Sequence, residues 1–375
     1  LGQRSERQSN IELLRIFAAL GIILLHYNNA GLGKGFLAVE PDTINQYFML
    51  VFETLCICGV NVFVLISGYF MRGSKKRDLL KPIELFLMYL IFELAACLIK
   101  ELPKGEGLSL KTFMGYFSPS YWFIFVYIAL YLISPFINVM WEHLDRKGQK
   151  LLLITAISLF SVYPMFCEVM TSVSGTSIWD EDSMSIYGLL QGINTVGITG
   201  SEGGYTIVNF VLMYIIGCYL REREDDIKKM KLWPLFVLLA LNVFAIMVMV
   251  FAAHLITGNP YSGNTAWNYE DPLVISESVL IFMIFAKMKI KNSKLINILA
   301  GASFPSYLIH INILEYFGIE EAVNRFLPMF LLHAFVTIFG IYVISFVIYK
   351  LYDLCTRPVF KLISNKWKRR RFIEI

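Results

Sequence analysis

Charge is scarce in this sequence. Only 17% of its 375 residues are Asp, Glu, Lys or Arg, against about a quarter in an ordinary soluble domain. Hydrophobic residues make up 57% and the mean hydropathy is +0.60, so a soluble globular fold is excluded. The alternating apolar-polar strands of an outer-membrane barrel are also missing. The net charge of +4 does not suggest a nucleic-acid partner. Cysteine is sparse. Cys56, Cys58, Cys97, Cys167, Cys218 and Cys355 fall mostly in apolar runs, and the spacing of Cys56 and Cys58 matches neither a zinc site nor a redox motif. They read as small buried side chains, and no metal site is expected. No short apolar run followed by a small-residue cleavage site is visible, so no cleavable signal peptide is expected. No internal repeat and no glycine-rich phosphate loop appear.

What is present in quantity is long apolar runs. A helix needs roughly 20 apolar residues to cross a bilayer. Ten such spans are expected, at about 11–28, 48–70, 82–100, 121–140, 150–168, 205–220, 232–252, 273–288, 295–316 and 328–351. The fold class is therefore all-α, a polytopic membrane protein. Lys and Arg gather in alternate connections: RGSKKRDLLK (72–81), DRKGQK (145–150), REREDDIKKMK (221–231), KMKIKNSK (287–294) and the tail KWKRRR (366–371). Segments 169–204 and 253–272 contain no Lys or Arg. Positive charge marks the cytoplasmic side, which places both termini there.

Two of the extracytoplasmic segments are long, and long loops carry function more often than short connectors do. Residues 169–204 include Trp179, Asp180, Glu181 and Asp182; residues 253–272 include Trp267, Tyr269, Glu270 and Asp271. Aromatic and acidic groups together suit a sugar, with rings against its apolar face and carboxylates on its hydroxyls. An interfacial aromatic belt plus ordinary polar loop is the alternative reading.

The first span, SNIELLRIFAALGIILLHYNNAG, keeps Arg15 near its start and His26 near its end. Eleven residues at 100° each overshoot three turns by only about 20°, so both side chains share a face, roughly 16 Å apart along the axis. Ionisable groups in a spanning helix normally face the bundle interior or a watery cavity. A polar path along this face follows. Alternatively, Arg15 snorkels to the inner headgroups beside Glu12, and His26 is interfacial beside Tyr27.

Arg15, ten residues, then His26 matches the opening pattern of the acyltransferase-3 family of integral membrane acyltransferases. GVNVFVLISGYF (59–70) resembles that family's second-span segment, YWFIFVYIALYLISPFI (121–137) its fourth span, and SFPSYLIH (303–310) its late signature. The matches run in order along nearly the whole chain, in a ten-span frame, as one transmembrane domain. Asn61 stands where many members carry an acid.

The resemblance implies transfer of an acyl group, often acetyl, from cytoplasmic acyl-CoA to a hydroxyl of an extracytoplasmic glycan. The acceptor would be a surface polysaccharide or a lipid-linked glycan, and the setting a bacterial cytoplasmic membrane. Arg15 would mark the inner mouth of the path and His26 the reacting end, as general base or as an acyl-carrying nucleophile. His310 is the second candidate. Ser306, one turn earlier on the same face, would bond His310 or the substrate. Glu53 and Glu93 are candidates to orient an imidazole. Arg72, Lys75, Lys76, Arg77 and Lys81 would hold CoA phosphates, besides fixing topology. The rival function is a transporter on the same fold, which also needs polar groups inside a bundle.

Overall fold

The computed structural model describes residues 7–105, 109–116, 121–173, 203–257, 266–366 and 372–374. The chain is helical almost throughout. The main helices are α1 (Ser9–Asn28), α2 (Ile44–Cys56), α3 (Gly59–Met71), α4 (Leu80–Glu101), α5 (Trp122–His143), α6 (Arg146–Ile157), α7 (Tyr163–Val173), α8 (Ile207–Glu222), α9 (Leu232–Thr257), α10 (Pro272–Lys287), α11 (Ser303–Ile313) and α12 (Leu327–Lys366). Side-chain oxygens start several of them. Thr43, Asp145, Thr206 and Ser293 each accept a backbone N–H three residues on, satisfying donors that the helix itself leaves open. The β structure among the described residues is one antiparallel ladder, β1 (Lys76–Asp78) with β2 (Phe372–Glu374).

Among the described residues, seven segments are long and apolar enough to cross a membrane: Ser9–Asn28, Ile44–Met71, Leu80–Lys104, Trp122–His143, Arg146–Cys167, Leu232–Leu255 and Leu327–Lys366. The other three expected spans are not among these seven. α8 and α10 have 16 residues each, about 24 Å of helix against a hydrocarbon core of about 30 Å. The range 294–313 is broken into Lys294–Leu299, a 3₁₀ turn at Ala300–Ala302, and α11. α8 is buried along nearly its whole length, from Asn209 to Leu220. A helix enclosed by neighbours need not match the lipid thickness.

Among the described residues the most extensive helix contact is α3 with α8. Its cause is two glycines. A Cβ at Gly68 would lie 2.1 Å from the Tyr214 carbonyl oxygen, and one at Gly217 2.3 Å from that of Leu65. Between apolar helices in lipid, close approach of this kind supplies much of the attraction. α3 passes contact on to α1, where a Cβ at Gly59 would lie 3.2 Å from the Ala18 carbonyl.

Polar bonds tie together the basic connections at one end of the bundle. Glu222 Oε1 accepts from Arg72 Nη2 at 2.6 Å, from Trp141 Nε1 at 2.8 Å and from Gln149 Nε2 at 3.3 Å. Lys287 donates to the carbonyls of Ile227 and Lys228. Ser9 binds Asn297, and Arg7 donates to the Asn297 carbonyl. The opposite end is closed by Lys34 with Glu320, Asn45 on the carbonyls of Val323 and Arg325, and Asn324 on the Ala38 carbonyl. The segments grouped by charge pattern are thus grouped in space.

Gly68→Ala and Gly217→Ala are each expected to lower the apparent melting temperature of the detergent-solubilised protein, through overpacking of about 1–3 kcal/mol. Gly340, also helical, has nothing within 4 Å of its Cβ position. Gly340→Ala is expected to leave the melting temperature unchanged or raise it, since alanine favours helix by up to about 1 kcal/mol over glycine. Equal effects at all three positions would dismiss the crossing as the cause.

Candidate active site

The last turn of α1 is held by the chain that follows it. Asn29 Oδ1 accepts from the backbone N–H groups of Gly31 and Leu32. Gly33 N–H then donates back to the His26 carbonyl at 2.9 Å. A Cβ at Gly33 would fall 2.3 Å from the Tyr27 carbonyl oxygen, so only glycine permits this return. It fixes the backbone that carries His26.

His26 and His310 meet here, 284 residues apart in sequence. Nδ1 of His26 is hydrogen-bonded to Nε2 of His310, and the rings lie nearly parallel with centroids 4.6 Å apart. His310 is fully buried, while His26 is partly exposed. Nδ1 of His310 lies 2.8 Å from the Ser306 carbonyl oxygen. A carbonyl only accepts, so Nδ1 carries the proton, and in the neutral ring Nε2 of His310 is then the lone pair. His26 must then donate from Nδ1. Its own Nε2 is left as the lone pair, on the more exposed ring. One carbonyl thus sets the tautomer of two imidazoles.

Ser306 therefore acts through its backbone; its hydroxyl donates to the Ser303 carbonyl at 2.9 Å instead. A neighbouring pair, absent from the sequence expectations, repeats the logic. His333 Nε2 donates to the Phe317 carbonyl at 2.8 Å, so its Nδ1 accepts from the Tyr27 hydroxyl at 3.0 Å. Tyr307 flanks His310 with ring centroids 6.0 Å apart. Neither expected carboxylate takes a histidine as its hydrogen-bond partner. Glu53 accepts from Asn28 Nδ2 at 2.9 Å and Glu93 from Asn312 Nδ2 at 3.1 Å. Glu277 was also missed. It is buried in α10, and its carboxyl accepts no hydrogen bond among the described residues.

Asn61 has a structural reason to be an amide. Its Nδ2 donates to the Tyr269 carbonyl at 2.7 Å, and its Oδ1 accepts from Asn209 Nδ2 at 3.1 Å. A carboxylate would offer no donor to that carbonyl.

Other expected site residues are distributed differently. Arg15 is partly exposed and pairs with Glu12 at 3.4 Å. Arg72 is bound to Glu222 and Lys75 to Glu142; Lys76 and Lys81 are exposed. Arg77, expected to face phosphate, turns inward and is 3% exposed. Its guanidinium donates to Ser134 Oγ, to the Tyr214 hydroxyl and to carbonyls of Met71, Ser74 and Lys76. The cause is β1, whose alternation points residue 77 into the bundle. Tyr269, Glu270 and Asp271, read as a solvated sugar-facing loop, are buried. They close the end of the bundle just before Pro272 starts α10, with Tyr269 N–H on the Gly203 carbonyl at 2.8 Å. Trp267 donates from Nε1 to Thr54 Oγ1 at 3.1 Å. Trp179 lies outside the described residues.

Paired neutral imidazoles at one end of an apolar helical bundle, with the basic segments at the other, are the features of a membrane enzyme. The chain belongs to the acyltransferase-3 family: the family model, described as an acyltransferase domain, matches residues 8–350. No curated protein and no solved structure matches it. The protein is thus a multi-pass membrane acyltransferase by family.

Arg77→Ala is expected to lower thermal stability markedly, because several carbonyls lose a charged donor and each such bond is worth about 1.5–3 kcal/mol. Lys75→Ala breaks only a surface pair, worth at most about 1 kcal/mol. Melting curves of the two variants side by side test this; equal loss would show that Arg77 is not a structural cation.

Proposed function

We propose that the protein moves an acyl group, acetyl in the simplest case, from acyl-CoA at the basic end to a hydroxyl of a cell-surface glycan at the opposite end. The carrying observation is the lone pair left on His26 Nε2 by the chain Ser306 carbonyl, His310, His26. The acceptor hydroxyl gives its proton to His26 Nε2 as its oxygen attacks the thioester carbonyl. Collapse of the tetrahedral intermediate breaks the C–S bond, and the departing CoA thiolate takes that proton back from His26. Atoms and charge balance without a metal. His310 holds the Nδ1–H of the transient imidazolium, a positioning role. On the donor side Arg15, Arg72, Lys75, Lys76 and Lys81 remain candidates for CoA phosphates. The surface pairs of Arg72 and Lys75 are weak enough to exchange for phosphate; Arg77 is withdrawn from that list. The membrane is the cytoplasmic membrane of a bacterium, and the acceptor a polysaccharide or lipid-linked glycan.

His26→Ala is expected to cut turnover by about 10²–10⁴, the usual contribution of a positioned base, with acetyl-CoA affinity unchanged. His310→Ala is expected to fall by less, and His310→Gln to recover part of that loss, because its amide oxygen replaces the Nε2 acceptor. Turnover and donor binding measured together in nanodiscs decide the matter. Near-normal turnover in His26→Ala would remove it as the base.

Orientation is tested separately. A cysteine placed at Tyr205, which is 43% exposed, is expected to react with an impermeant maleimide on intact cells. Cysteines at Lys75 or Asp226 are expected to react only after permeabilisation. The reverse pattern would exchange the donor and acceptor ends.

A further inference from the structure

On the opposite flank of α11 from His310 lies a cavity of about 230 Å³. Position 312 is turned about 200° from position 310 around the helix. The cavity walls include Glu93 from α4, Thr112 and Tyr116 from the short helix Leu110–Tyr116, Tyr121 beside the head of α5, and Asn312. Two ring contacts connect it to the histidines: Tyr121 with Tyr307 at 5.9 Å and Tyr307 with His310 at 6.0 Å.

The polar groups are fixed in advance. Glu93 is 2% exposed. Asn312 Nδ2 bridges Glu93 Oε1 at 3.1 Å and the Tyr121 hydroxyl at 3.0 Å, and that hydroxyl donates to the Leu308 carbonyl at 3.1 Å. Tyr116 is held by its hydroxyl on Glu101 Oε1 at 2.8 Å. Preset groups of this kind lower the ordering cost of binding.

The wall chemistry selects the occupant. An acyl chain would offer nothing to the polar groups of this wall, and an anion would meet the Glu93 carboxylate. A polyhydroxylated ring satisfies them: carboxylate and amide oxygens accept hydroxyls, Thr112 donates or accepts, and the phenol rings cover an apolar sugar face. We propose that this cavity is a glycan subsite, holding a sugar of the acceptor next to the one being acylated. The inference rests on the reading of the acceptor as a glycan, and it adds Glu93, Asn312 and Thr112 as recognition residues.

The test is saturation-transfer NMR on the full-length protein in nanodiscs, with the methyl glycosides of glucose, galactose and N-acetylglucosamine as probes. Acetyl-CoA binding is measured on the same samples. At least one glycoside is expected to give a signal with the unaltered protein. Glu93→Gln and Asn312→Leu are expected to weaken it about tenfold, the worth of one to two hydrogen bonds. Thr112→Val, on a short peripheral helix, is expected to weaken it without touching the bundle. All three variants are expected to keep acetyl-CoA binding. Undiminished glycoside signals in the three variants overturn the subsite, as does a protein that binds acetyl-CoA but no glycoside. Failure to bind acetyl-CoA overturns the transferase reading instead, whatever the glycosides do.

Discussion

The crossing of α3 and α8 is the constraint from which the rest of the bundle is hung. Apolar side chains gain little from each other in lipid, so helices must find contacts that lipid cannot replace. Gly68 and Gly217 provide these by letting backbone touch backbone. With that distance fixed, polar pairs form above and below. Asn61 meets Asn209 toward one end. Toward the other, the Tyr214 hydroxyl donates to Asn138 Oδ1 at 3.0 Å and accepts from Arg77. α3 also bears on α1 at Gly59, and α1 carries His26 to α11. A wider crossing would loosen each of these in turn.

The histidine pair solves an electrostatic problem specific to an apolar site. A carboxylate is the familiar partner for a catalytic imidazole, but burying an ion carries a desolvation cost that its partner must offset. Two neutral imidazoles oriented by a carbonyl carry no net charge at rest. In the proposed mechanism charge appears only when His26 takes a proton, and it appears on the partly exposed ring. His310 contributes direction rather than charge, in the way that outer partners orient metal-bound histidines.

Much of this was legible in the sequence and some was not, for physical reasons. Hydropathy revealed the helices because lipid exposure demands apolar residues. It did not separate α8 and α10, 16 residues each, from full-length spans, because an enclosed helix and a lipid-facing one carry the same residues. The basic connections were legible as a group because topology follows where Lys and Arg lie. Their individual pairings were not, since any of several acids nearby could have served. Arg77 would have required knowing that residues 76–78 form a strand, whose partner lies 294 positions later. His26 and His310 were each visible, one by its place on an apolar helix and one by resemblance. Their contact, and the tautomer set by the Ser306 carbonyl, depends on how α1 and α11 meet. The 269–271 turn was misread because acidic and aromatic residues between two spans look the same whether they face water or cap a bundle.

The β1–β2 ladder has a consequence for the order of events during synthesis. Arg77 lies in β1, and its guanidinium binds α5 through Ser134 and α8 through Tyr214. Its strand partner, Ile373, is made after every helix of the bundle. Until residues 372–374 are made, the connection after α3 is without its pairing strand. Residues 372–374 therefore complete a connection begun in the first quarter of the chain. Residues 372–374 close this part of the bundle, and a nascent protein stalled before residue 372 has every described helix yet lacks that closure.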